Sequence, residues 1–227
     1  MNKILMIALL SSFTFSAFAQ SGSFTSPEES DPKAKAVLEQ IRKRFLSYNS
    51  MAVDFTLDIT FPEEPTESQK GSIAQQGDKY RVELGTQSVI SDGTALWLIM
   101  HFNKEVSIND IPEDDESGGS ILSPESLLTF YDQGDFVYYL TNEYKSGSKT
   151  IQQIEFKPVD RSAEYTKLRM NVYKDTKDIA SVEAFARDGS RYKVTINKLT
   201  PNKSFPSNHF TFKKADYPGY YVEDLRG

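Results

Sequence analysis

Between residues 53 and 61 the chain alternates with a period of two. Val53, Phe55, Leu57, Ile59 and Phe61 are separated by Asp54, Thr56, Asp58 and Thr60, until Pro62 stops the run. Successive side chains of a strand point to opposite faces, so this pattern predicts a strand with one continuous apolar face. Ahead of it, Ala34, Val37, Leu38, Ile41, Phe45 and Leu46 recur at three- and four-residue spacing between Pro32 and Tyr48. That spacing predicts an amphipathic helix with Asp31 or Ser30 near its N-cap. Shorter strand signals follow at 70–76, 79–84, 105–108, 136–140, 151–156, 167–173, 180–186, 192–196 and 209–213, with turn signals at Gly77-Asp78, Ser146-Gly147, 175–178 and Asp188-Gly189.

One segment departs from simple alternation. Val89-Ile90 leads into Ser91-Asp92-Gly93, and the unbroken apolar run Ala95-Leu96-Trp97-Leu98-Ile99-Met100 follows. Asp-Gly between apolar residues predicts a hairpin with a type I′ turn. The returning strand is apolar on both faces, so one face packs on a core and the other needs a cover or an apolar ligand.

Many short strands with few helices predict an α+β protein, mostly β, built on one antiparallel sheet large enough to curl into a barrel or half-barrel. Ser123-Pro124-Glu125-Ser126 reads as the start of a second, short helix, with Leu127, Leu128, Phe130 and Tyr131 on its apolar face.

The composition fits a single domain, here 32–227: 227 residues, 38% hydrophobic and 12% aromatic, without a break that marks a second. The first residues stand apart. Lys3, an apolar and small-residue run over 4–18, and Ala17-Phe18-Ala19 before Gln20 predict a signal peptide (1–19) cleaved after Ala19. Residues 20–31, rich in Ser, Gly, Pro and acids, read as a flexible leader. Cleavage removes one lysine and no acid, taking the net charge from −6 to −7. An acidic chain without a dense basic patch argues against nucleic acid and against a polybasic membrane-binding site. Cysteine is absent, which excludes disulfides, thiolate metal sites, cysteine nucleophiles and a lipid-modified cysteine after the signal peptide. The expected product is soluble and periplasmic.

The motifs of common enzyme classes are missing. There is no G-x-S-x-G, no glycine-rich phosphate loop and no H-E-x-x-H, and His101 and His209 read as strand-end residues. The acidic run Asp110, Glu113, Asp114, Asp115, Glu116 lacks the alternating ligand spacing of a calcium loop. No enzymatic activity, metal or cofactor is expected.

In order along the chain, the helix, the alternating strand, Lys70-Gly71-Ser72-Ile73, Lys79-Tyr80-Arg81-Val82 and Ser91-Asp92-Gly93-Thr94-Ala95-Leu96-Trp97 resemble the outer-membrane lipoprotein carrier family, LolA, whose members carry an S-D-G-x-x-L-W hairpin. The resemblance continues through Ser123-Pro124 with Leu127-Leu128, Phe156-x-Pro158, Asp188-Gly189, Phe210-Thr211-Phe212 and Val222-Glu223-Asp224-Leu225-Arg226. It implies an open, curved antiparallel half-barrel with helices covering an apolar concave face. It also implies a carrier that takes acylated lipoproteins from an inner-membrane ABC transporter, shields their acyl chains, and passes them to an outer-membrane receptor or acceptor membrane. The related receptor is itself a lipoprotein, so the cysteine-free start at Gln20 favours the carrier. A sensing domain of the same fold and an envelope enzyme acting on lipids or glycans are the alternatives.

On this reading the acyl-cavity candidates are Phe55, Leu57, Ile59, Tyr80, Val82, Leu84, Trp97 and Ile99, and the lid candidates are Leu127, Leu128 and Tyr131. The family's lid-latching arginine, in the strand after the glycine matching Gly71, is replaced by Gly77. Either another residue, with Arg81 the candidate, takes over the latch, or the lid is held more loosely, and Gly77 points to a bend or bulge at that strand edge.

Overall fold

The computed structural model describes residues 29–111, 131 and 134–227. The expected signal peptide, most of the leader, the second helix with Leu127 and Leu128, and residues 113–116 of the acidic run lie outside the described residues. Within them stand one α-helix, α1 (Pro32–Leu46), and twelve strands: β1 (Ser50–Thr60), β2 (Glu67–Gln76), β3 (Lys79–Leu84), β4 (Gln87–Ser91), β5 (Leu96–Met100), β6 (Glu105–Asn109), β7 (Phe136–Ser146), β8 (Lys149–Pro158), β9 (Tyr165–Tyr173), β10 (Ile179–Ala186), β11 (Arg191–Pro201) and β12 (Tyr221–Asp224).

All twelve strands form one open, curved sheet in the order β12-β6-β5-β4-β3-β2-β1-β11-β10-β9-β8-β7. Two runs of hairpins, β1 to β6 and β7 to β11, meet where β1 pairs with β11. Asn197 is the extra residue of a bulge there, opposite the step from Asp54 to Phe55, and its amide donates to Thr56 Oγ1 at 2.8 Å. A bulge at mid-sheet bends the strand and increases its twist, as a curved sheet requires. The pairing is antiparallel throughout except at one edge, where β12 runs parallel to β6. The expected strand over 209–213 is not formed. Residues 207–210 turn instead, and the last strand, β12, forms further on without having been expected.

Asp31 is the N-cap of α1: its carboxylate accepts from the Lys33 N–H at 2.8 Å, and Pro32 occupies the first turn. Glu29 to Asp31, the end of the expected leader, are tied to β7. Asp31 N–H donates to the Tyr138 carbonyl at 2.9 Å, and the Tyr139 hydroxyl donates to the Glu29 carbonyl at 2.7 Å. The apolar stripe Ala34, Val37, Leu38 and Ile41 buries against Tyr138, Ile154, Phe156, Met170 and Val172 on β7 to β9. Tyr131, the one lid candidate among the described residues, belongs to this core; its ring lies 5.8 Å from Tyr138 and 6.4 Å from Phe156.

Gly77-Asp78 forms the turn that its signal predicts: Gly77, with φ of 57°, is the first residue of the two-residue β2–β3 connection, a position that favours glycine, and the register there runs without the expected bulge. The β4–β5 connection spans 92–95 and is an Asx turn, not a two-residue type I′ turn. Asp92 Oδ1 accepts from the Thr94 N–H at 2.8 Å, the Thr94 hydroxyl at 2.7 Å and the Ala95 N–H at 3.0 Å.

Candidate functional site

The register sorts every strand residue onto the face that α1 packs against or onto the opposite one. Phe55, Leu57 and Ile59 share the helix face of β1; Phe55 is paired with Gly71, Gly71 with Leu84, and Ile73 with Val82, which puts Tyr80, Val82 and Leu84 on that face as well. Val89 and Leu98 extend it across β4 and β5. Six of the eight cavity candidates therefore lie on one surface. Phe55 and Tyr80 are buried, while Leu57, Ile59, Val82 and Leu84 are half-buried. Among the described residues, α1 covers the β7 to β10 half of this surface and leaves the β1 to β5 half outside its core. Burial pushes the Tyr80 phenol up to about 12.

Trp97 and Ile99 do not belong with them. Ile90 pairs with Trp97 and Ile99 with Val106, all on the opposite face, where a second core forms with Phe212, Tyr217, Tyr220 and Val222. Ile99 is fully buried, and the Trp97 ring stacks on Phe212 at 5.8 Å. Both faces of β5 are apolar because the C-terminal segment folds back over one of them. Sequence pattern alone carried no information about that cover.

The same cover seals a polar network. Ser88 donates to Glu83 and lies 2.7 Å from His101 Nε2, while His101 Nδ1 lies 3.1 Å from the Tyr220 hydroxyl. Ser88 has one proton and gives it to Glu83, so its oxygen accepts from His101 Nε2–H. A serine and a histidine in contact suggest a nucleophile, but Ser88 is 1% exposed and its hydroxyl is engaged. The network fastens the C-terminal segment to β4 and β5. Arg81 faces this side too, 2.5 Å from Glu83 and opposite the face that α1 covers, while the lid helix it was expected to latch lies outside the described residues.

Beside the C-terminal end of α1 the helix face opens into a cleft of about 120 Å³, lined almost wholly by apolar atoms of Ile41, Phe45, Tyr48, Met51, Val53, Ile73, Ile179, Ile196 and Leu199. At its rim the Arg44 guanidinium donates to Asp178 at 2.7 Å, tying the helix end to the β9–β10 turn. This ion pair restrains the C-terminal end of α1. The hydrogen bond to Asp178 raises the Arg44 pKa above its ordinary value against the opposing effect of burial. Sequence reasoning missed the cleft. Val53 shows the right parity and Met51 extends it, but Tyr48 reads only as the end of a helix, and Ile196 and Leu199 reach the same face only through the Asn197 bulge.

Among the described residues, no group of three or more His, Asp or Glu side chains is placed to hold a metal ion, and no helix is long and apolar enough to cross a membrane.

The model of the family described as outer membrane lipoprotein carrier protein LolA matches residues 47–213. No curated protein matches the chain. Among solved structures, an uncharacterized conserved protein from Thermus thermophilus aligns with a TM-score of 0.56 at 9% identity, over 86% of this chain and 99% of that one, and shares the fold. A LolA superfamily protein from Nitrosomonas europaea aligns with a TM-score of 0.40 at 14% identity, over 79% and 97% of the two chains. LprF from Mycobacterium bovis aligns with a TM-score of 0.45 at 10% identity, over 80% and 98%.

Proposed function

Because the chain belongs to the LolA family of outer membrane lipoprotein carrier proteins, we propose that it is a periplasmic carrier that shelters the acyl chains of lipoproteins on the helix face of its sheet and moves them from the inner to the outer membrane. The observation that carries this reading is an apolar face that, among the described residues, extends beyond the part α1 covers. Phe55, Leu57, Ile59, Tyr80, Val82 and Leu84 continue the core beyond α1. On the same reading the donor is a lipoprotein-releasing ABC transporter, the acceptor is an outer-membrane receptor or the membrane itself, and the protein needs neither catalysis nor cofactor.

A transferable complex has to bind moderately. Full burial of a sixteen-carbon chain at roughly 0.8 kcal/mol per methylene would yield on the order of 12 kcal/mol, and several chains would make a trap. The cleft of about 120 Å³ is smaller than the roughly 150 Å³ that holds a benzene ring, so it takes only part of a chain. The remainder lies along the half-buried strip or displaces what covers it, and either cost lowers the net affinity.

The test is gentle purification from the native periplasm followed by mass spectrometry, with release of lipoproteins from spheroplasts as the second readout. Acylated polypeptides on the protein and release into the medium are the expected results. Binding without release or delivery would replace the carrier by a sensor of lipidated proteins. Neither binding nor release would end the acyl reading.

A further inference from the structure

The turn that joins β5 to β6, residues 101–104, carries Phe102 with 91% of its surface exposed, the most exposed large apolar side chain among the described residues. The turn is pinned at both ends. The His101 N–H donates to the Thr86 carbonyl at 2.9 Å, the Tyr221 N–H donates to the Lys104 carbonyl at 2.9 Å, and His101 Nδ1 lies 3.1 Å from the Tyr220 hydroxyl. Phe102 is therefore held out in water at a fixed place. A single exposed apolar side chain is ordinary on a protein surface, and what sets this one apart is its position. Leu98 pairs with Val89 and Met100 with Gln87, so the apolar strip of the helix face runs along β5 to its end and leads into the turn. Met100 pairs with Glu105, and Glu105 with Tyr221, which places Tyr221, itself 65% exposed, on the same face beside the turn. Charge is sparse here: Lys104 is the one lysine or arginine of the turn, and Glu105 accepts from Asn103 Nδ2 at 3.4 Å.

We propose that the 101–104 turn is a membrane-docking tip. The Phe102 ring sinks into the acyl region of a bilayer, the Tyr221 ring lies at the level of the headgroups, where tyrosine is favoured, and the strip on β5 is brought end-on to the lipid. A bare ring on a pinned turn fits a fluid apolar phase, which closes around it, and the strip behind it gives an acyl chain a continuous apolar path off the protein. The chain carries a net charge of −6, so nothing draws it to an anionic surface, and the hold comes from the apolar contact alone. One ring gives a weak and reversible attachment, as a shuttle that must leave again requires. The proposal rests on the carrier reading above and deepens it by placing the meeting with the acceptor membrane at one turn.

Sedimentation of the whole mature chain with vesicles of phosphatidylethanolamine and phosphatidylcholine tests it. The native protein should partition onto the vesicles to the same extent in low and high salt, with no gain when phosphatidylglycerol is added. Phe102→Ser should weaken partition at least about tenfold, the worth of one phenyl ring leaving water, with an unchanged urea midpoint. Phe102→Trp should bind as the native protein does, and its added fluorescence should be quenched by lipids brominated along the acyl chain, whereas Trp97, stacked on Phe212, supplies a constant background. Equal partition of the native protein and Phe102→Ser, or binding that needs anionic lipid and vanishes in salt, overturns the proposal. If the native protein ignores vesicles while Phe102→Ser slows delivery of lipoproteins to isolated outer membranes, the ring docks a protein and the membrane assignment is overturned. Displacement of a bound apolar fluorophore keeps the carrier reading separate. Acyl binding should be the same in the native protein and Phe102→Ser, and its absence from both would overturn the carrier reading and, with it, the delivery role of the tip.

Discussion

The far end of the Phe55 ring lies over Gly71, its partner on the neighbouring strand: a Cβ at residue 71 would collide with Phe55 Cζ, Cε1 and Cε2. Gly71 is therefore fixed by an aromatic side chain that covers the strand, not by its own backbone angles. Gly71→Ala should lower stability by about 1–3 kcal/mol, the usual cost of forcing a methyl into a packed site. Phe55→Leu in the same chain should recover part of that loss, and a double-mutant cycle by urea unfolding measures the coupling. Independent, additive effects would show that the ring does not sit on the glycine.

Leu57 and Ile99 separate the two faces experimentally. Leu57 is half-buried on the helix face outside the α1 core, so Leu57→Glu should change stability by less than about 1 kcal/mol while weakening the binding of an apolar ligand. Ile99 is fully buried beneath the C-terminal segment, so Ile99→Ala should cost about 2–5 kcal/mol and leave ligand affinity in the surviving native fraction unchanged. Thermal unfolding together with displacement of a bound apolar fluorophore reads both quantities. Wholesale unfolding of Leu57→Glu would place that residue in the structural core.

The contrast between these residues shows what the chain made legible. The alternation over 53–61 specified strand, face and register origin together, because period two admits one arrangement once a face is buried. The apolar spacing from Ala34 to Ile41 did the same for α1. Trp97 and Ile99 could not be assigned, because a strand apolar on both sides has no parity to read and its cover, Phe212 to Tyr220, lies over a hundred residues away. The cleft was hidden for a related reason. It depends on a bulge at Asn197 and on the junction of three distant segments, and neither leaves a local periodicity.

The Arg44–Asp178 pair should matter more for opening than for folding. Its side chains are 41% and 26% exposed, so Arg44→Ala or Asp178→Asn should cost no more than about 1 kcal/mol, with the difference fading in high salt. Both variants free the C-terminal end of α1 at the rim of the cleft. Hydrogen exchange at the last turn of the helix should speed up, and an apolar fluorophore should associate faster. Unchanged exchange there would mean that packing of Ile41 and Phe45 holds the helix without the ion pair.

Acid should destabilise the protein in two stages. Burial beside Phe205 and Phe210, with Arg81 and Lys203 nearby, holds the His209 pKa below its ordinary 6.5. The native state therefore keeps this ring neutral while the unfolded chain takes up a proton. Stability present above pH 6.5 is lost as the pH falls from there through the lowered native value. The second stage comes from carboxylates. At Asp92 burial pushes the pKa up, but hydrogen bonds from Thr94 and Ala95 outweigh it; at Glu155 burial is likewise outweighed, by Arg169 and Lys167. Both end below their ordinary values of 3.8 and 4.5, so their contributions are complete above those values and disappear as the pH falls through the native ones. Urea midpoints measured from pH 8 to pH 3 should fall first below about 6.5 and again below about 4.5. His209→Gln should flatten the upper stage and spare the lower one, whereas Glu155→Gln should reduce only the lower. A His209→Gln profile that still falls between pH 6.5 and pH 5 would move the upper stage to another group and contradict the half-buried, neutral histidine.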